Sequence, residues 1–347
     1  MASRPSPCHP GRASQSEIAA GRLEAPRRQR KSMTSIPEAE RADPGRLAAA
    51  QGNAPTLPRD WRKFLWVAPL VVSLLVTTVY PTIFLVSLAL TKSTLGKPFG
   101  AFVGLKQVTR ALLDPNFHSA VLKSIAFAFA SATAELVIGF ALASLFVALL
   151  KAGRFLLTLV LLPLMTPPVM VGIAWKLILA PSGGLVNGIL LSWGVIDQPM
   201  SFLASPTLSW ISIGIADLWQ WVPFVTILCF AALVSLPDGV REASMIDGAG
   251  RWRRLRHVIL PLVAAPLASI FLLKLIIGFK LFDLVYVLTF GGPGFTTTNA
   301  TFGIWRLAFE QFDVGRAAAQ TLIFAIVIGI VTIPVARLHQ RASEYYS

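Results

Sequence analysis

Six stretches of this chain, 64–90, 119–150, 155–180, 208–236, 258–290 and 317–336, are apolar for long enough to cross a hydrocarbon layer, which takes about 20 helical residues. No other feature narrows the fold as far. The chain reads as an all-α integral membrane protein with six transmembrane helices. Of its 347 residues 54% are hydrophobic and 14% charged, and the mean hydropathy is +0.65, too apolar for a soluble domain of this size. The second and fifth runs exceed one crossing, so they should tilt, kink or project beyond the bilayer. The net charge of +14 fits the arginine excess of cytoplasmic segments better than nucleic-acid binding. Cys8 in the polar N-terminal region and Cys229 in an apolar run support neither a disulfide framework nor a metal site.

Residues 1–58 are rich in Pro, Arg, Ala, Ser and Gln and show no apolar periodicity, so they read as a disordered basic tail. They contain no apolar stretch of the secretory-signal kind. The run R-R-Q-R-K at 27–31 reads as a solvated charge cluster, and Met33 just after it is an alternative natural start. The six-helix domain then occupies 59–340, and 341–347 forms a short C-terminal tail.

Between the fourth and fifth runs lies one long polar, basic insert, R-E-A-S-M-I-D-G-A-G-R-W-R-R-L-R-H-V-I-L-P at 241–261. Pro237 ends the preceding helix, and Asp238 is placed to cap a short new one. In that helix Val240, Ala243 and Ile246 are spaced by three on one face, while Arg241, Glu242 and Asp247 stay polar. Gly248 and Gly250 should stop it, because glycine enters the left-handed region without steric cost. The expectation is a short helix lying across a membrane surface.

The spacing of Glu242-Ala243-Ser244, three residues, Gly248, nine residues and Val258-Ile259-Leu260-Pro261, with the triplet Asp247-Gly248-Ala249 inside it, resembles the EAA loop of binding-protein-dependent ABC importer permeases. The usual form is E-A-A-x3-G-x9-I-x-L-P; here Ser244 replaces Ala and Val258 replaces Ile, both small changes. W-Q-W-V-P-F at 219–224 and A-A-L-V-S-L-P at 231–237 are similar to that family's helix before the loop. F-D-L-V-Y-V-L-T-F-G-G-P at 282–293, the threonines at 296–298, Ala308-Phe309 and G-R-A-A-A at 315–319 look like the first permease of the sugar-type subgroup, the maltose and glycerol-phosphate importers. The closing R-A-S-E-Y-Y-S at 341–347 differs from the Gly-Ala-Val-Lys-Gly-type tail usual in the partner permease. The resemblance covers 61–337.

It implies a type I ABC importer permease fold and the membrane-spanning subunit of an ATP-driven importer for a sugar, polyol or related solute. Its partners would be a second permease subunit, two ATP-binding subunits, an extracytoplasmic solute-binding protein and membrane lipid, with no nucleic acid. ATP and Mg would sit on the ATP-binding subunits, leaving this chain without a cofactor of its own. The loop 238–261 would be the coupling helix, with Ala243 and Gly248 giving a small surface and a turn and Glu242 and Asp247 giving polar contacts. Ser244, Ala249 and Pro261 complete the coupling motif. With this loop in the cytoplasm, the inner flanks hold Arg59, Arg62, Lys63, Lys151, Arg154, Arg241, Arg251, Arg253, Arg254, Arg256, Arg337 and Arg341. The outer segments hold only Lys92, Lys97, Lys106, Arg110, Lys123, Arg306 and Arg316. The positive-inside rule then puts both termini in the cytoplasm, and the resemblance implies a bacterial inner membrane.

No phosphate-cradling G-x4-G-K-[ST] loop, H-E-x-x-H or G-x-S-x-G occurs, and His9, His118, His257 and His339 lie in the tail or near membrane edges. No catalytic, cofactor or metal residues are assigned. Charges within the apolar runs are more informative, since an ionisable group in hydrocarbon generally faces a cavity or a partner. Glu135, Lys176, Asp217, Lys274, Lys280 and Asp283 are the main cases. Lys280 and Asp283, three apart, are placed to pair on one helix face. Glu135 would line the pathway or bond a neighbouring helix. Lys123, Lys176 and Asp217 lie near predicted outer ends, within reach of water. Trp219, Gln220 and Trp221 combine aromatic faces with an amide, chemistry suited to a sugar and equally to a membrane interface. Glu135, Trp219, Gln220, Trp221, Lys280 and Asp283 are therefore the translocation-pathway candidates. Pro163, Pro167 and Pro168 should break the third run, beside the pathway or simply as a packing kink. A secondary transporter or channel driven by an ion gradient is the alternative reading, and it would leave the EAA spacing as coincidence.

Overall fold

The structure, a computed structural model, describes residues 61–148, 160–248 and 250–346. The N-terminal region 1–58, including 27–31 and Met33, and Ala249 of the coupling motif lie outside the described residues. In chain order the helices are α1 (Trp61–Ala89), α2 (Lys106–Leu112), α3 (Pro115–Ala148), α4 (Pro168–Ile178), α5 (Leu185–Ser192), α6 (Pro206–Val234), α7 (Asp238–Ile246), α8 (Arg251–Leu262), α9 (Ala264–Gly278), α10 (Ala300–Phe309) and α11 (Val314–Tyr346). Among the described residues extended pairing is limited to two isolated bridges, Thr91 with Phe102 and Thr94 with Lys97.

Among the described residues four helices are long and apolar enough to cross a membrane: α1 over Trp66–Ala89, α3, α6 and α11 over Val314–Arg337. The pair α8 and α9, bent by 71°, makes a fifth if it is one span. Among the described residues the expected six crossings therefore do not each appear as one long helix. The third run shows a 3-10 turn at Pro163–Met165 and then the 11-residue α4. Pro167 and Pro168 are the cause: each lacks an N–H donor and pushes the residue before it out of the helical region. Thr166 (ψ 127°) and Pro167 (ψ 138°) are accordingly extended.

The fifth run, expected as one span over 258–290, is also divided. Its helix begins earlier, at Arg251 in the basic insert, widens into a π turn at Leu255–Ile259 and bends after Leu262. The ring of Pro261 cannot pack against the carbonyl one turn back in a regular helix, and the wide turn accommodates it. After Gly278 the chain turns, passes a second π turn at Val285–Thr289 and reaches α10. The last helix continues through 341–346, the stretch assigned from sequence to a tail.

The most extensive helix packing joins α3 to α6, followed by α9 on α3 and by α9 and α10 on α11. Small residues permit the approach, as expected where lipid leaves van der Waals packing to hold helices together. At Gly139 a Cβ would stand 2.7 Å from Val225 Cγ1 and 3.1 Å from the Thr226 backbone nitrogen, so α3 meets α6 along bare backbone. Ala143, Val225, Cys229, Val263, Leu267 and Ile270 close one half of this interface. Phe117, Ala128, Ala132, Leu275, Phe279 and Phe324 join α3, α9 and α11. By contrast, α1 enters the core only at Leu88 and Ala89, against Ala111, Ala318 and Ala319, and 67–84 are exposed. An apolar surface of that length is stable only against hydrocarbon or another protein.

Gly139→Val should force α3 from α6 and cost roughly 1–3 kcal/mol or more through overpacking. Gly214→Ala is the control, because nothing lies within 4 Å of a Cβ there. Thermal unfolding in detergent should show a lowered midpoint for the first variant and no comparable loss for the second.

Candidate coupling and translocation sites

The short helix α7 starts straight after Pro237 (φ −59°, ψ 134°), whose carbonyl accepts a bond from Val240 N at 3.1 Å. Asp238 is its first residue and the fixed φ of Pro237 sets the start; the Asp238 side chain, expected from sequence to cap the helix, lies outside the described residues. At the other end Asp247 N bonds Ala243 O and Gly248 N bonds Met245 O, at 3.0 and 3.1 Å. Gly248 has φ +68°, the left-handed turn that glycine adopts without cost. Gly250 does not share in stopping α7; it precedes α8, and its carbonyl accepts from Arg254 N at 2.9 Å.

Ser244 is the buried member of the motif, while Ala243, Asp247 and Gly248 are exposed. The Glu242 side chain lies outside the described residues. Val240 is half-buried but Ile246 is 86% exposed, so the expected common face of Val240, Ala243 and Ile246 is not buried as a unit. Met245, and Trp252 beyond the turn, are exposed large apolar side chains as well. Sequence spacing missed Met245 and Trp252 because the motif does not include them. The available signal was their type, large apolar residues in an otherwise polar insert.

In the bundle, Lys274 Nζ on α9 lies 2.9 Å from Glu135 Oε2 on α3, with the two side chains 1% and 0% exposed. Asp217 on α6 is buried and interacts with both. It is far from the water-reaching end position expected of it. The ammonium also lies 4.3 Å from the centroid of the Trp221 ring. Three helices thus each contribute an ionisable group to one enclosed cluster. Breaking such a pair leaves a buried charge alone, at a cost of several kcal/mol. Lys280 and Asp283 do not pair, and no ion pair joins them. Pairing at that spacing needs an unbroken helix, and the chain leaves the helix between them.

Trp219 is exposed and meets Trp175 edge-on, whereas Trp221 meets Phe224 and the Lys274 ammonium. Successive helical residues are turned by about 100°, so Trp219, Gln220 and Trp221 do not share a face. Gln220 is buried and donates to Thr166 O at 3.1 Å, filling an acceptor left at the proline break. Two amides not singled out in the sequence do similar work. Asn187 donates to Ala180 O and Met200 O at 3.1 and 3.0 Å. Asn299 donates to Leu281 O beyond α9 and accepts from Phe302 N to start α10.

Comparison with known proteins gives this architecture a family. The family described as "Binding-protein-dependent transport system inner membrane component" matches residues 135–344. The chain belongs to this family. The permease is 32% identical over 274 residues, 78% of its length and 91% of the relative's, to the trehalose/maltose transport system permease protein MalF of Thermococcus litoralis. It is 31% identical over 272 residues, 78% and 86% of the two chains, to the trehalose transport system permease protein SugA of Mycobacterium tuberculosis. Its fold matches a chain of a bacterial ABC transporter involved in the import of the acidic polysaccharide alginate, with TM-score 0.72 and 21% identity, covering 82% of this chain and 96% of that one.

Lys274→Met should destabilise the permease by roughly 3–5 kcal/mol, because it leaves acidic side chains buried without their cation. Adding Glu135→Gln should restore part of the loss. Thermal unfolding of the single and double variants in detergent checks both, and an unchanged midpoint for Lys274→Met would remove the cluster's structural role.

Proposed function

We infer that this permease is the membrane-spanning subunit of an ATP-driven importer that receives a sugar, polyol or related solute from a solute-binding protein. The observation that carries the coupling role is α7 itself. It is a short helix bounded by Pro237 and the left-handed Gly248, seated through Ser244 and presenting Met245 and Ile246 outward. Such a ridge has the size and polarity to enter a groove on an ATP-binding subunit. In this reading Glu242 and Asp247 make polar contacts around the ridge, Ala243 and Ala249 keep the approach close, and the bend after Pro261 links α7 to the bundle. The sugar class is supported by the trehalose, maltose and glycerol-phosphate systems in which relatives work. The alginate transporter's complex with a substrate-bound periplasmic protein supports a binding-protein partner.

A second permease and two ATP-binding subunits complete the assembly, and ATP and Mg belong to the latter. The basic flanks of α7 and α8 support a cytoplasmic position for this end and for both termini, with six crossings in the assembled state. Of the pathway candidates, solute contact within the membrane is assigned to the exposed Trp219, backed inside the bundle by Glu135, Gln220 and Trp221, with Lys280 and Asp283 as further candidates where the chain leaves α9. An ion-gradient mechanism has less support, because Glu135 already has Lys274 as its partner.

Co-purification after mild solubilisation should recover an ATP-binding subunit and a second permease, with ATPase activity stimulated by a solute-binding protein. A lone oligomer without ATPase would overturn the reading. Gly248→Asp puts a charged side chain on an exposed left-handed turn; it should leave the permease at normal levels in the membrane and abolish uptake. Uptake at the normal rate in that variant would remove α7 from the coupling path.

A further inference from the structure

At the end of the bundle opposite α7, the first turns of α3, the loop before α10 and the start of α11 enclose a cavity of about 460 Å³. This falls within the few hundred Å³ usual for small-molecule sites. None of the pathway candidates lines it. Its wall combines charged, amide and hydroxyl side chains with the ring of Phe295.

The charged groups are largely matched within the chain. Arg316 pairs with Asp114, which also accepts from Gln320 at 3.3 Å. Arg306 pairs with Glu310 at 2.8 Å, and its guanidinium lies 4.8 Å from the centroid of the Phe295 ring. Lys123 donates to Phe295 O at 2.8 Å. The loop is held in place as well: Trp210 Nε1 donates to Thr296 O at 3.1 Å, and Thr298 Oγ1 to Gly291 O at 3.2 Å. Donors and acceptors are therefore fixed before any ligand arrives, which lowers the ordering cost of binding. Hydrogen-bonding capacity remains unused. Arg316 Nε is buried without a partner among the described residues, and a Lys ammonium has three donors, of which the loop carbonyl takes one. Phe295 is 62% exposed and offers apolar surface beside these groups.

Two of the three lining cations are paired with carboxylates and the third, Lys123, is turned to a carbonyl; with fixed polar groups in several directions and an accessible aromatic ring, this suits a neutral, hydroxyl-rich ring better than an anion, which would call for several uncompensated cations. We propose that this cavity is a subsite for one glycosyl or polyol ring of the transported solute, at the mouth of the permease remote from α7. The proposal rests on the importer reading above. The subsite would receive the ring as the solute leaves its carrier and before it reaches the spans.

The test uses the complete complex in detergent without the solute-binding protein, with maltose and trehalose as probes and saturation-transfer NMR reporting bound sugar. Phe295→Ala removes the ring, and Ser119→Trp fills the cavity from α3. Expected is transfer to at least one sugar in the wild type, reduced in both variants, with inorganic phosphate failing to displace it. In liposomes each variant should raise the KM for the bound sugar by about tenfold, while stimulation by the unliganded solute-binding protein stays normal. Equal transfer in wild type and variants, no transfer in the wild type, or displacement by phosphate overturns the subsite. Variants that keep sugar transfer but lose stimulation show a docking surface for the binding protein, which also overturns it. A wild-type complex stimulated by its binding protein yet silent to both sugars sinks the subsite alone. One with no stimulation at all sinks the importer reading with it.

Discussion

The ammonium of Lys274, enclosed with Glu135 and Asp217, fixes how the bundle is assembled. The three helices that supply these groups are otherwise joined by apolar and small residues. Contacts of that kind have little preference among neighbouring rotations, and in lipid no hydrophobic force adds to them. A charge does discriminate. Turning α9 by one residue would swing Lys274 by about 100° away from its partners and leave ions in a medium that cannot solvate them. The cluster therefore fixes the rotation of α9 against α3 and α6, and with it the position of the Trp221 ring beside the ammonium.

The same intolerance of lone polar groups governs the places where helices stop inside the apolar layer. Each interruption leaves carbonyls that water cannot reach. Gln220 takes Thr166 O after the proline break and Asn299, with Thr301, takes Leu281 O where α9 has ended, while beyond the apolar runs Asn187 joins Ala180 O to Met200 O around α5. All three amides are buried. An amide suits this work because it donates and accepts together: Asn187 also accepts from Met200 N, and Asn299 from Phe302 N.

Length and hydropathy made the membrane class legible, since a crossing needs only enough apolar residues, and the bounds of α7 followed from the backbone chemistry of Pro237 and Gly248. Cross-helix information was not legible. Lys280 and Asp283 looked like partners because local spacing is all a single sequence offers, whereas the pair that forms joins Glu135 to Lys274 across helices far apart in the chain. Asp217 was placed near water because its run was judged by position alone. Asn187 and Asn299 carried no motif, and their value depends on which carbonyls the breaks leave open. The length of the fifth run already implied a tilt, kink or projection, and Pro261 was the residue at which the bend could have been placed.

Two routes lead from α7 into the bundle, and they meet at one place. Through Pro237 it is joined to α6, which runs without interruption to Asp217. Through Gly248 it is joined to α8, and from there the 71° bend leads to α9 and Lys274. A pull on α7 that slid α6 along α3 and α9 would draw Asp217 from its place beside Glu135 and Lys274, against the cost of leaving buried polar groups without their partners. A pull that turned α3, α6 and α9 together would leave the cluster intact. The arrangement thus favours movement of the bundle as one body, with the change of angle taken up at the widened turn before Pro261 and at the glycine turn after α7. Stiffness in the middle and compliance at these two positions would let a movement of α7 reach the far ends of the long spans.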